Sequence, residues 1–156
     1  MSSISKQRNR VRDSNSPNPT VIAAKRARNA ERVILVADDN DDTRIAFSTV
    51  LRARGYRVVE ASDGEEAIQV TLRENPGLLL LDLQLPRLDG LSVLRRLRNE
   101  LKRIELPVVV VTGYEEHFET AVAGGCDDYL LKPIDFERLN TLLDYYLPIE
   151  AKAKSA

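Results

Sequence analysis

Residues 78–90 read Leu78-Leu79-Leu80-Leu81-Asp82-Leu83-Gln84-Leu85-Pro86-Arg87-Leu88-Asp89-Gly90. Four consecutive leucines leave no polar face. A run of this kind suits a strand of a parallel sheet covered on both sides, whereas alternation would mark a sheet with one wet face. The run ends at Asp82, and Pro86 to Gly90 punctuate a loop. The strand therefore delivers a lone carboxylate to its own carboxyl end.

The same grammar extends in both directions. Val33–Ala37 and Val108–Val111 are also continuously apolar, Arg57–Ala61 is a mixed run and Tyr129–Leu131 a short one. Between them the apolar positions move to helical spacing. Phe47, Val50 and Leu51 make one stripe, Leu91, Leu94, Leu97 and Leu101 a second, and Phe136, Leu139, Leu143 and Tyr146 a third. Gly55 stands where a helix would end, and Asp63-Gly64 reads as a turn. Five β–α units follow, predicting an α/β doubly wound domain, (βα)5, with a five-stranded parallel sheet and right-handed crossovers.

The chain has 156 residues, one domain's worth, and is 43% hydrophobic and 30% charged. Its net charge of −1 hides an asymmetry. Residues 1–32 hold eight basic and two acidic side chains, a net +6; fifteen basic against twenty-two acidic leave −7 for the remainder. The segment 1–31 is rich in Ser, Asn and Arg, too polar to offset its ordering entropy, and is expected to be a mostly disordered basic tail. Within it Thr20–Arg32 could form a short basic helix. The body is expected over 32–148, with a polar stub over 149–156. A single cysteine, Cys126, fits a reducing compartment. Neither a membrane-spanning run nor a secretory h-region is present, so a soluble cytoplasmic protein is expected. The tail lacks aromatic residues for base stacking, which argues against sequence-specific nucleic-acid binding.

In an open parallel sheet, ligands bind at the carboxyl edge of the strands. The first strand ends in Asp38-Asp39, the third in Asp82, the fourth in Thr112 and the fifth in Lys132. Three carboxylates, a hydroxyl and an ammonium thus converge on one edge. Clustered carboxylates repel unless a cation lies between them, and hard oxygen donors suit Mg²⁺ or Ca²⁺. His117 and Cys126 lack the partners a zinc site needs. A carboxylate beside Mg²⁺ can attack a phosphoryl group, with Lys and Thr stabilising its oxygens. No Gly-rich phosphate loop accompanies the site. Asp41 and Asp42 suit the first turn of a helix and Asp89 a cap, while His117 is expected to be exposed on a helix.

Taken together, Val33-Ile34-Leu35-Val36-Ala37-Asp38-Asp39-Asn40, Leu81–Gly90, Val110-Val111-Thr112-Gly113 and Asp127–Pro133 resemble a response-regulator receiver domain of two-component signalling. The order and spacing of all four segments match across the body. The resemblance implies a flavodoxin-like strand order, 2-1-3-4-5. It implies Asp82 as phosphoacceptor and Mg²⁺ bound by Asp38, Asp39, Asp82 and the backbone carbonyl of Gln84. Thr112 and Lys132 would bind the phosphoryl group, Thr112 and Tyr129 would form a switch, and Pro133 would follow a cis peptide. Gln84 and Tyr114 occupy positions that modulate phosphoryl-group lifetime, and a bulky Tyr114 would favour a long one.

The implied protein is a stand-alone phosphoacceptor rather than an enzyme, with self-catalysed phosphotransfer and autodephosphorylation. Its donor would be a sensor histidine kinase or histidine phosphotransfer protein. Its output would be a downstream protein or a homodimer, through Phe118–Val122, Tyr129–Leu131 and Phe136–Tyr146, since the nine residues beyond Leu147 are too few for another domain. Two other readings compete. An aspartyl-nucleophile phosphatase-like hydrolase would need a proton-exchanging group where Gln84 stands. A DNA-binding regulator would need the basic tail to contact DNA.

Overall fold

The computed structural model describes residues 18–29 and 32–148. Residues 1–17 and 149–156, most of the expected tail and the whole expected stub, lie outside them. Helix α1 covers Pro19–Asn29, beginning one residue before the Thr20–Arg32 stretch where the sequence allows a short helix; residues 30 and 31 lie outside the described residues.

The body alternates strand and helix from end to end. Its strands are β1 (Val33–Ala37), β2 (Arg57–Ala61), β3 (Leu78–Asp82), β4 (Val108–Thr112) and β5 (Asp128–Leu131). Its helices are α2 (Asp41–Ala53), α3 (Gly64–Glu74), α4 (Gly90–Arg95), α5 (Phe118–Ala123) and α6 (Phe136–Tyr146). All pairings are parallel, in the order β2-β1-β3-β4-β5, with β3 between β1 and β4. This is the flavodoxin-like arrangement.

The four leucines of β3 explain the two-sided core. Side chains alternate across a strand, so Leu79 and Leu81 face one layer and Leu78 and Leu80 the other. The first layer packs against Ala67, Ile68 and Val70 of α3, Val93 and Leu94 of α4, and Ala121 of α5. The second packs against Phe47 and Leu51 of α2 and Leu139, Leu142 and Leu143 of α6. Each fully buried leucine contributes about 2 kcal/mol. A polar residue on either face of β3 would forfeit that and lose its water.

Helix starts share the edge where strands end. Asn40 caps α2 by accepting the Thr43 N–H, Asp63 caps α3 from Glu66, Asp89 caps α4 from Ser92 and Asp135 caps α6 from Glu137 and Arg138. Asp41 and Asp42 lie in the first turn of α2, where the helix dipole favours them. Gly55, at φ 91°, takes the left-handed conformation that reverses the chain after α2.

Two local expectations are corrected. The second apolar stripe does not continue as one α-helix to Leu101; α4 gives way to a π-helical turn over Arg96–Glu100. Within that turn Arg98 donates to the carbonyls of Gly125, Arg103 and Leu106 and to Asp127, tying it to the segments beside β4 and β5. His117 is not exposed on a helix. It ends a 3-10 turn (Glu115–His117), is half-buried, and faces Tyr114 with ring centroids 5.5 Å apart.

Candidate functional site

Asp38 follows β1 and is 2% exposed; Asp82 ends β3 and is 5% exposed. Asp39, next to Asp38, is exposed to solvent. Carboxylate oxygens of the three lie within 4.8 Å of one another. Parallel pairing of β1 with β3 makes this unavoidable, because Ala37 is in register with Leu81 and the next residue of each strand is an aspartate.

Backbone groups hold two of these side chains. The Asn40 N–H donates to Asp38 Oδ1 at 2.9 Å, and the Gln84 N–H to Asp82 Oδ1 at 3.0 Å. Lys132 reaches across from the end of β5. Its Nζ lies 3.1 Å from Asp38 Oδ2 and 3.3 Å from Asp82 Oδ2. Lys132 is itself set by its N–H donating to Thr112 O at 2.9 Å, and the Lys132–Pro133 peptide is cis.

One ammonium thus serves two buried carboxylates, leaving an excess of negative charge. The protonation balance reflects this. Burial raises the Asp82 pKa, the Gln84 N–H lowers it, Asp38 raises it again and Lys132 pulls it down, with a net upward shift. For Lys132, burial lowers the pKa, but Asp82 and Asp38 outweigh it and the balance is upward. The two shifts are consistent: the lysine gains from both acids, while neither acid has it to itself. Three hard oxygen donors with surplus negative charge fit a divalent Mg²⁺-type cation, and among the described residues no His or Cys joins them as a zinc site would require.

Close packing fixes the edge beneath the site. A Cβ on Gly90 would lie 2.3 Å from Asp82 O and 2.6 Å from Leu83 Cα, so only glycine lets α4 start against the end of β3. The Gly90 N–H donates to Leu83 O at 2.9 Å across the same contact.

Thr112, 2% exposed, ends β4, and its Oγ1 accepts the Tyr114 N–H at 3.2 Å. Tyr114 is half exposed and Gln84 exposed, both on loops at this edge. Tyr129 packs on aromatic and cationic neighbours. It is 36% exposed on β5, stacked on Phe118 at 3.7 Å between centroids, with Arg138 over its ring at 5.6 Å.

One residue escaped the sequence reading. Arg44 of α2 donates from Nη1 to the Asp38 carbonyl at 2.8 Å and from Nη2 to Asp41 at 2.6 Å, while Nε approaches Glu60 of β2 at 3.4 Å. The available signal was a base three residues after Asp41, which by itself marks only a helix-surface ion pair.

The family model for the response regulator receiver domain matches residues 34–144. The chain is 37% identical over 109 residues to the alkaline phosphatase synthesis transcriptional regulatory protein PhoP of Bacillus subtilis, covering 69% of this chain and 45% of that protein. It is also 37% identical to an uncharacterized 14.6 kDa protein of Leptolyngbya boryana, over 75% of this chain and 91% of that one. The chain spans half or less of the length of the first curated relatives it matches. Among solved structures, a putative response regulator from Chloroflexus aurantiacus matches with a TM-score of 0.69 and 32% identity, over 74% of this chain and 97% of that one. The receiver domain of the Pseudomonas aeruginosa sensor histidine kinase PA1611, described with a magnesium ion coordinated in its active-site cleft, matches at 0.65 and 30%, over 74% and 96%. No helix among the described residues is long and apolar enough to cross a membrane. Fold, strand-end chemistry and family match agree, and the chain belongs to the response regulator receiver family of two-component systems.

Proposed function

We propose that Asp82 accepts a phosphoryl group from a histidine kinase or a histidine phosphotransfer protein, in a Mg²⁺-dependent reaction. The observation that carries this is the buried Asp38–Asp82 pair sharing the Lys132 ammonium. An Asp82 carboxylate oxygen forms the new bond to phosphorus as the donor's phosphorus–nitrogen bond breaks. The electron pair stays with the imidazole nitrogen.

Asp38, Asp39, Asp82 and the Gln84 carbonyl would hold the cation, which when bound neutralises charge on the phosphoryl oxygens. Lys132 exchanges its contact with Asp82 for one with the phosphoryl group, and the Thr112 hydroxyl donates to another phosphoryl oxygen. Tyr114 and Gln84, each two residues past a strand-end site residue, set how quickly water hydrolyses the acyl phosphate in autodephosphorylation. Gln84 cannot exchange protons at neutral pH, which favours a phosphoacceptor over a hydrolase acting on external substrates.

Output follows from the added charge of about −1.5 to −2. Thr112 moves toward the phosphoryl group, and Tyr129 leaves its exposed stack on Phe118. The face that changes is that of α5, β5 and α6, with Val122, Phe136 and Tyr145 exposed on it, and it meets a downstream protein or a second copy. The 14.6 kDa Leptolyngbya relative, matched over 91% of its length, supports a single-domain organisation. A reducing cytoplasm suits the free Cys126.

Borohydride trapping tests the assignment of the acceptor. After incubation with Mg²⁺ and a phosphorylated histidine phosphotransfer protein, reduction converts an aspartyl phosphate to homoserine. The expected product carries homoserine at position 82; homoserine elsewhere, or none, overturns it.

A further inference from the structure

Arg44 connects three parts of the chain that meet beside Asp38. Its guanidinium donates to the Asp38 carbonyl at 2.8 Å, to Asp41 of the same helix at 2.6 Å, and faces Glu60 on the neighbouring strand at 3.4 Å. The side chain is only 17% exposed. Glu60 in turn is approached by Arg52 at 3.7 Å and belongs to β2, in register with Val36 of β1.

The consequence falls on one residue. The Asp38 N–H donates to Ala61 O at 3.0 Å, its carbonyl accepts from Arg44, its Oδ1 accepts from Asn40, and its Oδ2 pairs with Lys132. Of these four, only the Arg44 bond comes from a side chain that does not face the cation site. It fixes the peptide joining Asp38 to Asp39, and with it the direction in which Asp39 leaves the strand. The planar fork of Arg reaches three acceptors at once; the single ammonium of Lys cannot.

We infer that Arg44 is a positioning residue for cation binding, holding the Asp38–Asp39 peptide so that both carboxylates meet Asp82. This inference rests on the Mg²⁺ reading above. Residues that orient metal ligands from behind commonly alter affinity about 10- to 100-fold when removed. Arg44 is also a positive charge near the site. If charge were its whole effect, losing it would tighten cation binding.

Those two effects have opposite signs, so Mg²⁺ titration by calorimetry separates them. Wild type, Arg44→Gln and Arg44→Lys are compared, each with its melting temperature measured without Mg²⁺. The expected result is a Kd raised about tenfold in both variants, including the charge-preserving Arg44→Lys. Lys serves alone if the Gln variant does not fold. A Kd raised less than threefold, or lowered, overturns the inference whatever the melting temperatures do. Absence of Mg²⁺ binding by the wild type removes the metal reading itself, and this inference with it.

Discussion

The Lys132 ammonium lies 3.3 Å from the Asp82 carboxylate, joining positions fifty residues apart in sequence. Asp38 competes for the same ammonium at 3.1 Å. The pair is therefore an unsettled one, with more negative charge than a single lysine offsets. That imbalance underlies the chemistry proposed for the site.

Its first consequence is a dependence of stability on pH. Asp82 has a folded pKa above the ordinary carboxylate value of about 3.9. The folded state thus holds this proton more tightly than the unfolded chain, and ionisation of Asp82 destabilises the fold. Asp82→Asn should raise the melting temperature at neutral pH by roughly 3 °C, on the order of 1 kcal/mol. The gain should shrink as pH falls through the raised folded value toward 3.9. Thermal melts from neutral to acid pH check this; a gain that is constant or grows in acid contradicts it.

Lys132→Ala should separate cation binding from reaction. Without its ammonium the carboxylates repel more strongly, so the fold loses about 1–2 kcal/mol in the absence of metal, a figure reduced for the lysine's partial exposure. Mg²⁺ should restore more stability to this variant than to the wild type. Phosphorylation should nevertheless slow at least tenfold, because no ammonium meets the phosphoryl group. Melts with and without Mg²⁺, beside a phosphorylation time course, read both effects.

How much of this was legible beforehand depends on what each residue contacts. The four leucines before Asp82 disclose a two-sided sheet because strand periodicity is local, and the strand-end rule then gathers Asp38, Asp82, Thr112 and Lys132. Arg44 was not legible in this way. Beyond Asp41, its acceptors are a backbone carbonyl and a glutamate on β2, and neither leaves a periodic mark. The π-helical turn at Arg96–Glu100 was hidden for a similar reason, since Arg98 finds its partners near β4 and β5. Sequence reading could not fix the orientation of Tyr129 either, because a rotamer stacked on Phe118 depends on tertiary packing.

Gly90→Ala tests how tightly α4 seats against the site. The new methyl would fall 2.3 Å from Asp82 O, a backbone atom that cannot swing aside. Destabilisation of roughly 2–3 kcal/mol is expected. Chemical denaturation measures it, and a loss below 0.5 kcal/mol, roughly what an unconstrained surface change gives, would show that the helix start shifts freely.

Tyr114→Ala addresses the lifetime of the phosphorylated form. Tyr114 is half exposed, stands two residues past Thr112 on the loop after β4, and its own N–H bonds to the Thr112 hydroxyl. Removing the ring should admit water and raise the dephosphorylation rate about threefold to tenfold, equivalent to roughly 0.7–1.4 kcal/mol in the barrier. Decay of the phosphorylated protein after donor removal provides the rate. An unchanged or slower decay would leave Tyr114 without this role.

The most direct test of the central claim is the intact mass of the protein after incubation with Mg²⁺ and acetyl phosphate, wild type beside Asp82→Asn. One phosphoryl adduct is expected on the wild type, lost on chelation of Mg²⁺ before incubation and absent from Asp82→Asn. An adduct that persists in Asp82→Asn, or forms equally well without Mg²⁺, would contradict the claim.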